Sequence, residues 1–564
     1  MTSFKLPITD VAETINQQVS NDLELLSSFQ NIIEPSNILG EKTLPLWTKQ
    51  YTSDKNYLKD TQKLLQKKLP RITHSVSEMN DIWNHVKASN NEKYLDNDDL
   101  GFHAKYQYIE WEWLQKLNSN SAFLQCLSMY NMTSPLISFC LPIIFLLLPF
   151  FIIRVQGKHI TFEKYYEVLK IVFQRHQIGQ LFSISSATWD KRIYIIISVI
   201  FYVLQIYQNI RSCITFYKNM GHIRKELFVT REHVSETITY MDSFLTQTEG
   251  LKTYAKFNDN MQKHRKALLH IKTQLNPITE TAFSTKNVNE VGHVMKCFYQ
   301  LYRNQDFKTA LNYSFDFCGY IDNLNGIQQS ISCGRLGKCK FSKKHTEFYN
   351  AYYPLSGKTP VKNTYDLNNH IMITGPNAAG KTTILKATLF NIIITQQIGY
   401  GCYERATLAP FDKIHCYINI PDTSGRDSLF QAEARRCKEI LSLVEESTHD
   451  TRHFCVFDEL YSGTNPYEAI GSACSFLDYL DNFKNVSFII TTHFLDLCEK
   501  LDTKKGFSNC HMKVLNLDEN DFKYTYKISQ GISHIKGGVK VLKDLEYPQD
   551  IIKGTKKIIE NLTF

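Results

Sequence analysis

At 564 residues, with a net charge of +8, the chain exceeds one compact domain, and two to four units are expected. Hydrophobic residues at 43% and charged residues at 21% exclude wholesale disorder and a collagen-like or repeat composition. Fourteen cysteines without a C-x-x-C pair exclude a disulfide scaffold, and the spacing of Cys333 and Cys339 fits no zinc pattern, so reduced thiols are expected. Met1 to Asn16 lacks an apolar core, so no secretory signal is expected.

The first region, 1–134, reads as helical. A capped start at Ser53 is followed by Leu58, Leu64, Leu65 and Leu69 at helical spacing. Pro135 to Ile153 (PLISFCLPIIFLLLPFFII) then carries no charge and nearly spans a hydrocarbon core as a helix. Its prolines, Pro135, Pro142 and Pro149, require that neighbouring helices or Ser side chains satisfy the freed backbone groups. A second uncharged run, Ile193 to Ile210, is bracketed by Lys191, Arg192 and Arg211. Gln205, Gln208 and Asn209 dilute its end, so a span and an interfacial or core helix both fit. Together the runs predict a transmembrane hairpin over 135–210. Its connecting loop carries Arg154, Lys158, Lys164, Lys170, Arg175, Lys191 and Arg192, which the positive-inside rule would keep cytoplasmic.

The region 211–345 is the basic one, with 20 Lys/Arg against 11 Asp/Glu. Such a balance suits nucleic acid, an anionic membrane face, or merely a solvated helix surface. Ile223, Leu227, Val234, Ile238, Met241 and Leu245 recur at helical spacing, and no proline interrupts before Pro277. This predicts long amphipathic helices, continuous with the second apolar run.

From Ile371 the pattern becomes strand, turn and helix. Gly375 to Thr382 satisfies G-x-x-x-x-G-K-[ST], a loop whose N–H groups and helix dipole suit phosphate oxygens. Lys381 would supply a point charge to the phosphates, and Thr382 a hydroxyl to Mg²⁺. A strand at His453 to Phe457 leads to Asp458, suited to the Mg²⁺ shell, and Glu459, suited to orienting or deprotonating water. A third strand, Ser487 to Thr491, ends at Thr492 and His493. Each group stands at the carboxyl end of an apolar strand, where open α/β sheets collect ligands.

These segments, in this order, resemble the MutS family of ABC-type ATPases. TGPNAAGKTT is similar to the family's phosphate loop (Gly375, Pro376, Asn377, Ala378, Ala379, Gly380, Lys381, Thr382 and Thr383). The stretch from Gln397 resembles the Q-loop, and Ser428, Phe430 and Glu433 fall on the signature frame S-x-F-x-x-E. DELYSGTNPYEAIG resembles Walker B with the D-loop, and TTHFLDL the switch-histidine segment. The resemblance runs from about Phe348 to Leu562. It implies an α/β ABC-type ATPase domain over 346–564, behind mostly α-helical lever regions that the hairpin interrupts. It also implies ATP and Mg²⁺ as ligands, and a homodimer in which Ser428 and Glu433 act in trans on the partner's nucleotide. Glu459 and His493 would assist hydrolysis.

The chain departs from the family at Ala379, at Tyr403-Glu404 and by one extra residue between Gly425 and Ser428. The mismatch-reading wedge has no counterpart. Two functions fit: a membrane-anchored, DNA-binding clamp or switch related to mismatch repair, or a membrane-remodelling ATPase without DNA. Arg335, Lys338, Lys340, Lys343 and Lys344 are candidate contacts to DNA or lipid. Because ATP is cytosolic, the ATPase domain is expected on the cytosolic side of its membrane. That conflicts with the loop charges unless the hairpin is re-entrant.

Overall fold

The computed structural model describes residues 4–8, 12–73, 76–88, 102–157, 161–175, 179, 184, 188–279, 285–418, 428–518, 521–535 and 537–561. The regions expected from sequence are consecutive, whereas the two compact units are each discontinuous. One unit comprises 1–73, 239–264 and 312–564, and the other comprises 74–238 and 265–311.

Near the N-terminus, helix α1 (Lys55–Leu65) is capped by Asp54, whose carboxylate accepts from Asn56 N at 2.8 Å. The cap therefore falls one residue beyond Ser53. Leu58, Leu64 and Leu65 are buried along one face of α1.

The second unit holds helix α2 (Ser121–Val155), helix α3 (Phe162–Arg175) and most of helix α4 (Trp189–Thr248). The first apolar run lies inside α2 despite its prolines. Pro135 has no N–H for the carbonyl of Asn131, and the Ser134 hydroxyl donates to that oxygen instead, at 3.1 Å. Pro142 likewise leaves the carbonyl of Ser138 free, and the Tyr202 hydroxyl of α4 donates to it at 3.3 Å. Asn209 Nδ2 donates to Ser138 Oγ at 2.6 Å, and Cys213 reaches the carbonyl of Met132. As numbers fall along α2 they rise along α4, so the two helices pair antiparallel.

The exposed side of this pair is apolar. Leu136, Phe139 and Phe151 on α2, with Ile196, Ile200, Phe201 and Val203 on α4, are all exposed. Among the described residues, one helix, α4, meets the length and composition of a membrane-crossing segment. Further along α4 the expected face closes inward, with Ile223, Leu227, Val234, Ile238 and Met241 buried. Leu245 is only half-buried, and Phe244 takes the core position beside it.

Besides a short antiparallel pairing of Glu13–Thr14 with Gln50–Tyr51, the first unit contains two larger sheets. Their strands are β1 (Gly337–Phe341), β2 (Glu347–Ala351), β3 (Asn363–Asp366) and β4 (His370–Thr374), followed by helix α5 (Lys381–Ile398). Next come β5 (Tyr400–Gly401), β6 (Arg405–Leu408), β7 (Lys413–Tyr417), helix α6 (Leu429–Glu445) and β8 (His453–Asp458). Helix α7 (Pro466–Asp481), β9 (Val486–Thr491), β10 (Phe507–Asp518) and β11 (Asp521–Gln530) complete the set. The order β3-β2-β6-β1-β5 makes the smaller sheet, and β11-β10-β4-β9-β8-β7 the larger. The larger sheet is parallel except for β10 with β11. Parallel strands covered on both faces need continuous apolar runs, which is why IMIT, HFCVF and SFIIT lie at its centre. Register places Asp458 opposite Thr491, and Thr491 opposite Ile373, so the groups that follow these strands meet at one edge.

Helix α5 is buried on nearly every side. Its last turn carries polar side chains into the core, where each must find a partner. Gln397 Nε2 donates to the carbonyls of Trp47 (2.5 Å) and Gln50 (2.6 Å). Gln396 bonds Thr52 O and Phe411 O, and Gln62 of α1 reaches back to Gly399 O at 2.7 Å. The N-terminal segment is thereby stitched to the sheet's central helix.

Candidate functional site

The chain leaves β4, all five residues of which are buried, and turns through Gly375 (φ 148°), Ala378 (φ 61°) and Gly380 (φ 96°) into α5. Both glycines are needed for their backbone, and space is tight as well. A Cβ on Gly375 would lie 3.1 Å from Met512, and one on Gly380 3.2 Å from Tyr526. The left-handed alanine is Ala378. Ala379 is buried, and its N–H donates to Pro376 O at 3.3 Å.

The ends of two strands, β8 and β9, deliver side chains to this loop. Thr382 Oγ1 donates to Asp458 Oδ2 at 2.8 Å, and Thr491 Oγ1 donates a short hydrogen bond to Asp458 Oδ1. A hydroxyl and a carboxylate at the mouth of a phosphate-type loop form the oxygen donor set a hard divalent cation prefers. Lys381 Nζ donates to Gly375 O at 3.0 Å, lies 2.9 Å from His493 Nε2, and stands 3.9 Å from Glu459 Oε1. His493 Nε2 is also 2.9 Å from Glu459 Oε1.

Burial pushes the Lys381 ammonium down, against the pull of the Glu459 and Asp458 carboxylates. The hydrogen bond from His493 holds the Glu459 carboxyl below its usual value, although burial opposes this. Nε2 carries at most one proton, so a neutral His493 that donates to Glu459 offers no lone pair there to Lys381. The lysine is thus left with the Gly375 carbonyl as its acceptor and can turn to an incoming anion. Glu459 itself sits at φ 52°, with its N–H donating to Thr491 O at 3.1 Å, and Tyr461 sits at φ 58°. Left-handed backbone costs an L-residue about 1–2 kcal/mol, and here two such residues follow directly on the end of β8.

Two cavities flank the loop. One of 320 Å³ is lined by Gly380, Thr383, Tyr352, Val361, Asn363 and Tyr526 among others. Its aromatic and aliphatic walls could receive a flat ring attached to a phosphate held by the loop. The other, of 260 Å³, is bounded by Pro376, Asn377, His493, Ser533 and His534. Tyr526 and Thr491 were not singled out from sequence. Tyr526 looks like any other aromatic in an alternating strand, and only the return of β11 past the loop reveals it.

Not every expected residue is brought here. Gln397 lies at the far end of α5, about 24 Å along the helix from Lys381, and its amide is engaged with Trp47 and Gln50. Ser428 is exposed at the start of α6 in a capping box with Gln431. Glu433, expected alongside it in trans, is 2% exposed and turned inward. It accepts from Ser462 Oγ and Gly463 N of its own chain, both at 3.1 Å. A Cβ on Gly463 would lie 2.8 Å from Phe430 N, so this loop and the first turn of α6 form one packed block. The inserted residue before Ser428 lies outside the described residues.

Of the five basic candidates, Arg335 is engaged in a two-point pair with Glu34, at 2.5 and 3.0 Å. The bond raises the arginine's pKa and lowers the glutamate's. Lys338 and Lys340 project from one face of β1, and Lys343 and Lys344 follow it, all exposed.

A parallel sheet bearing such a loop at its carboxyl edge defines the P-loop class of α/β domain. Residues 371–563 match the family described as MutS domain V. "Endonuclease MutS2" of Staphylococcus haemolyticus is 31% identical over 248 residues, 43% of this chain and 30% of that protein. Its namesake in Staphylococcus saprophyticus is 29% identical over the same length, covering 43% and 31%. "DNA mismatch repair protein MutS" of Streptococcus suis is 28% identical over 210 residues, covering 36% and 24%. The chain spans a third or less of the length of these curated relatives. Over residues 371–563 the chain carries a MutS domain V, and in that part it is similar to these MutS-family proteins.

Proposed function

We propose that the chain is a MutS-type ATPase, mismatch-repair-related in lineage, that works as a DNA-associated dimeric switch anchored to a membrane. The observation that carries the ATPase reading is the meeting of Lys381, Thr382, Asp458, Glu459 and His493 at one sheet edge. Gly375 to Thr383 bind the phosphates of ATP, and Tyr526 walls the space for its base. Thr382 and Asp458 hold Mg²⁺, which when bound neutralises phosphate charge. Glu459 takes a proton from, or orients, the attacking water, and His493 holds that carboxylate in its charged form.

The test is turnover of Mg-ATP by the full chain in detergent, beside Glu459→Gln. The variant should bind ATP as tightly as wild type and hydrolyse it at least about 10²-fold more slowly. Equal rates would remove Glu459 from the chemistry.

The exposed apolar faces of α2 and α4 favour a membrane as the surroundings of the hairpin. The uncharged stretch of α4 between Arg192 and Arg211 measures about 28 Å at helical rise, close to a hydrocarbon core of about 30 Å. The ATPase domain then stands on the cytosolic side. Ser428, at an exposed helix start, is offered to nucleotide on a second copy, which makes the homodimer the working form. DNA is the load suggested by the relatives' names, with Lys338, Lys340, Lys343 and Lys344 as contacts. The exposed hairpin also favours the second reading, a membrane-remodelling ATPase without DNA. A salt series separates them. DNA affinity that depends on nucleotide and persists at physiological salt supports the first, and ATPase stimulated by lipid alone supports the second.

A further inference from the structure

The chain has five tryptophans, and their burial divides them sharply. Trp47 and Trp83 are each 3% exposed, whereas Trp111, Trp113 and Trp189 are 67%, 77% and 77% exposed. A large ring left in water is a poor use of the residue most suited to packing. All three exposed rings stand beside the apolar helix pair.

Trp189 opens α4, and the Arg192 guanidinium lies 5.5 Å over its ring. Trp111 and Trp113 are stacked on each other, with centroids 6.3 Å apart and planes 5° apart. Their loop is rigid, because Asn118 closes it with two 3.0 Å bonds to the backbone of Ile109. Just upstream, Gln107 Nε2 donates to Ser212 Oγ at 3.0 Å, and Asn219 donates to Lys105 O. The tryptophan pair is thus pinned to α4 one residue past Arg211, where the uncharged run ends. Trp189 and Ser212 share one helix, so the two aromatic positions lie about 35 Å apart along its axis. That matches a hydrocarbon core of about 30 Å with a ring at each boundary.

We infer that Trp111 with Trp113, and Trp189, are two interfacial anchors that seat the α2–α4 pair in a bilayer, one ring site at each headgroup boundary. The inference rests on the membrane reading above and adds the depth and the residues. Arg211 and Lys218 near one end, and Arg154, Lys191 and Arg192 near the other, supply charges for lipid phosphates. The alternative use of exposed stacked rings is base stacking. Glu110 precedes the pair and Glu112 lies between its two members, and their charge disfavours a nucleic acid strand there.

The test uses the full chain with vesicles of phosphatidylcholine and phosphatidylserine, some carrying bromine near the headgroup end of the acyl chain and some near its terminus. Wild type is compared with W111F/W113F and with W189F. The emission lost in each variant should be quenched at least about twofold more by shallow bromine than by deep bromine. If the chain floats with vesicles but that emission ignores bromine, the anchors are wrong and the hairpin stands. If single-stranded DNA changes the emission of Trp111 and Trp113 and vesicles do not, the pair is a nucleic-acid platform and the inference falls. If the chain does not float at all, the membrane reading and the anchors fall together.

Discussion

Glu459 and His493 share one hydrogen bond, and that bond sets the acid limit of the proposed chemistry. A glutamate held below its usual value stays charged to lower pH. In His493→Gln the holding bond from the imidazole is lost, so the acid limb of the pH–rate profile should move upward toward the ordinary glutamate range. A limb that stays in place would mean that burial and Lys381 alone govern the carboxylate. The phosphate-type loop was legible in sequence because its turn demands glycine at 375 and 380, and few other residues tolerate those angles. Thr491 and Tyr526 were not, because they reach the loop from strands whose neighbours are set only by the sheet order. Glu433 has surroundings that its sequence position did not disclose. Its letter fits the signature frame, but only packing shows that it faces Ser462 and Gly463. Glu433→Ala would remove the buried acceptor of both Ser462 Oγ and Gly463 N and should cost about 1.5–3 kcal/mol in chemical denaturation, more than the change seen in Glu433→Gln.

Among the elements, α2 and α4 were visible as uncharged runs, and the continuity of the second run with the following helix was visible in the lack of proline. Sequence did not disclose how α2 tolerates its own prolines. That depends on Ser134 within the helix and on Tyr202 from another. It also gave no sign that the segment around Trp47 to Gln62 packs on α5, since a glutamine at a helix end reads as a surface residue until its burial is known. Ile200 lies near the centre of the uncharged stretch of α4 and is exposed. Ile200→Arg should weaken insertion by about 2.5–3.5 kcal/mol, read as loss of the alkali-resistant membrane fraction, while ATP binding in detergent stays unchanged. An unchanged fraction would argue that the pair does not reside in lipid.

On the scale of the whole molecule, the proposed switch needs two copies. Ser428→Arg places a bulky cation at the exposed start of α6, and it should abolish ATP-dependent association in sedimentation while leaving nucleotide binding within about twofold. Association that survives would indicate a dimer built elsewhere. Another consequence concerns synthesis. Thr52 and Gln396, hydrogen-bonded in the finished protein, are 344 residues apart. At a translation rate of about 5–20 residues per second, the earlier residue waits roughly 20–70 s for the later one. The apolar pair α2 and α4 leaves the ribosome within that interval, so its surroundings are chosen before the sheet that carries the phosphate-type loop exists.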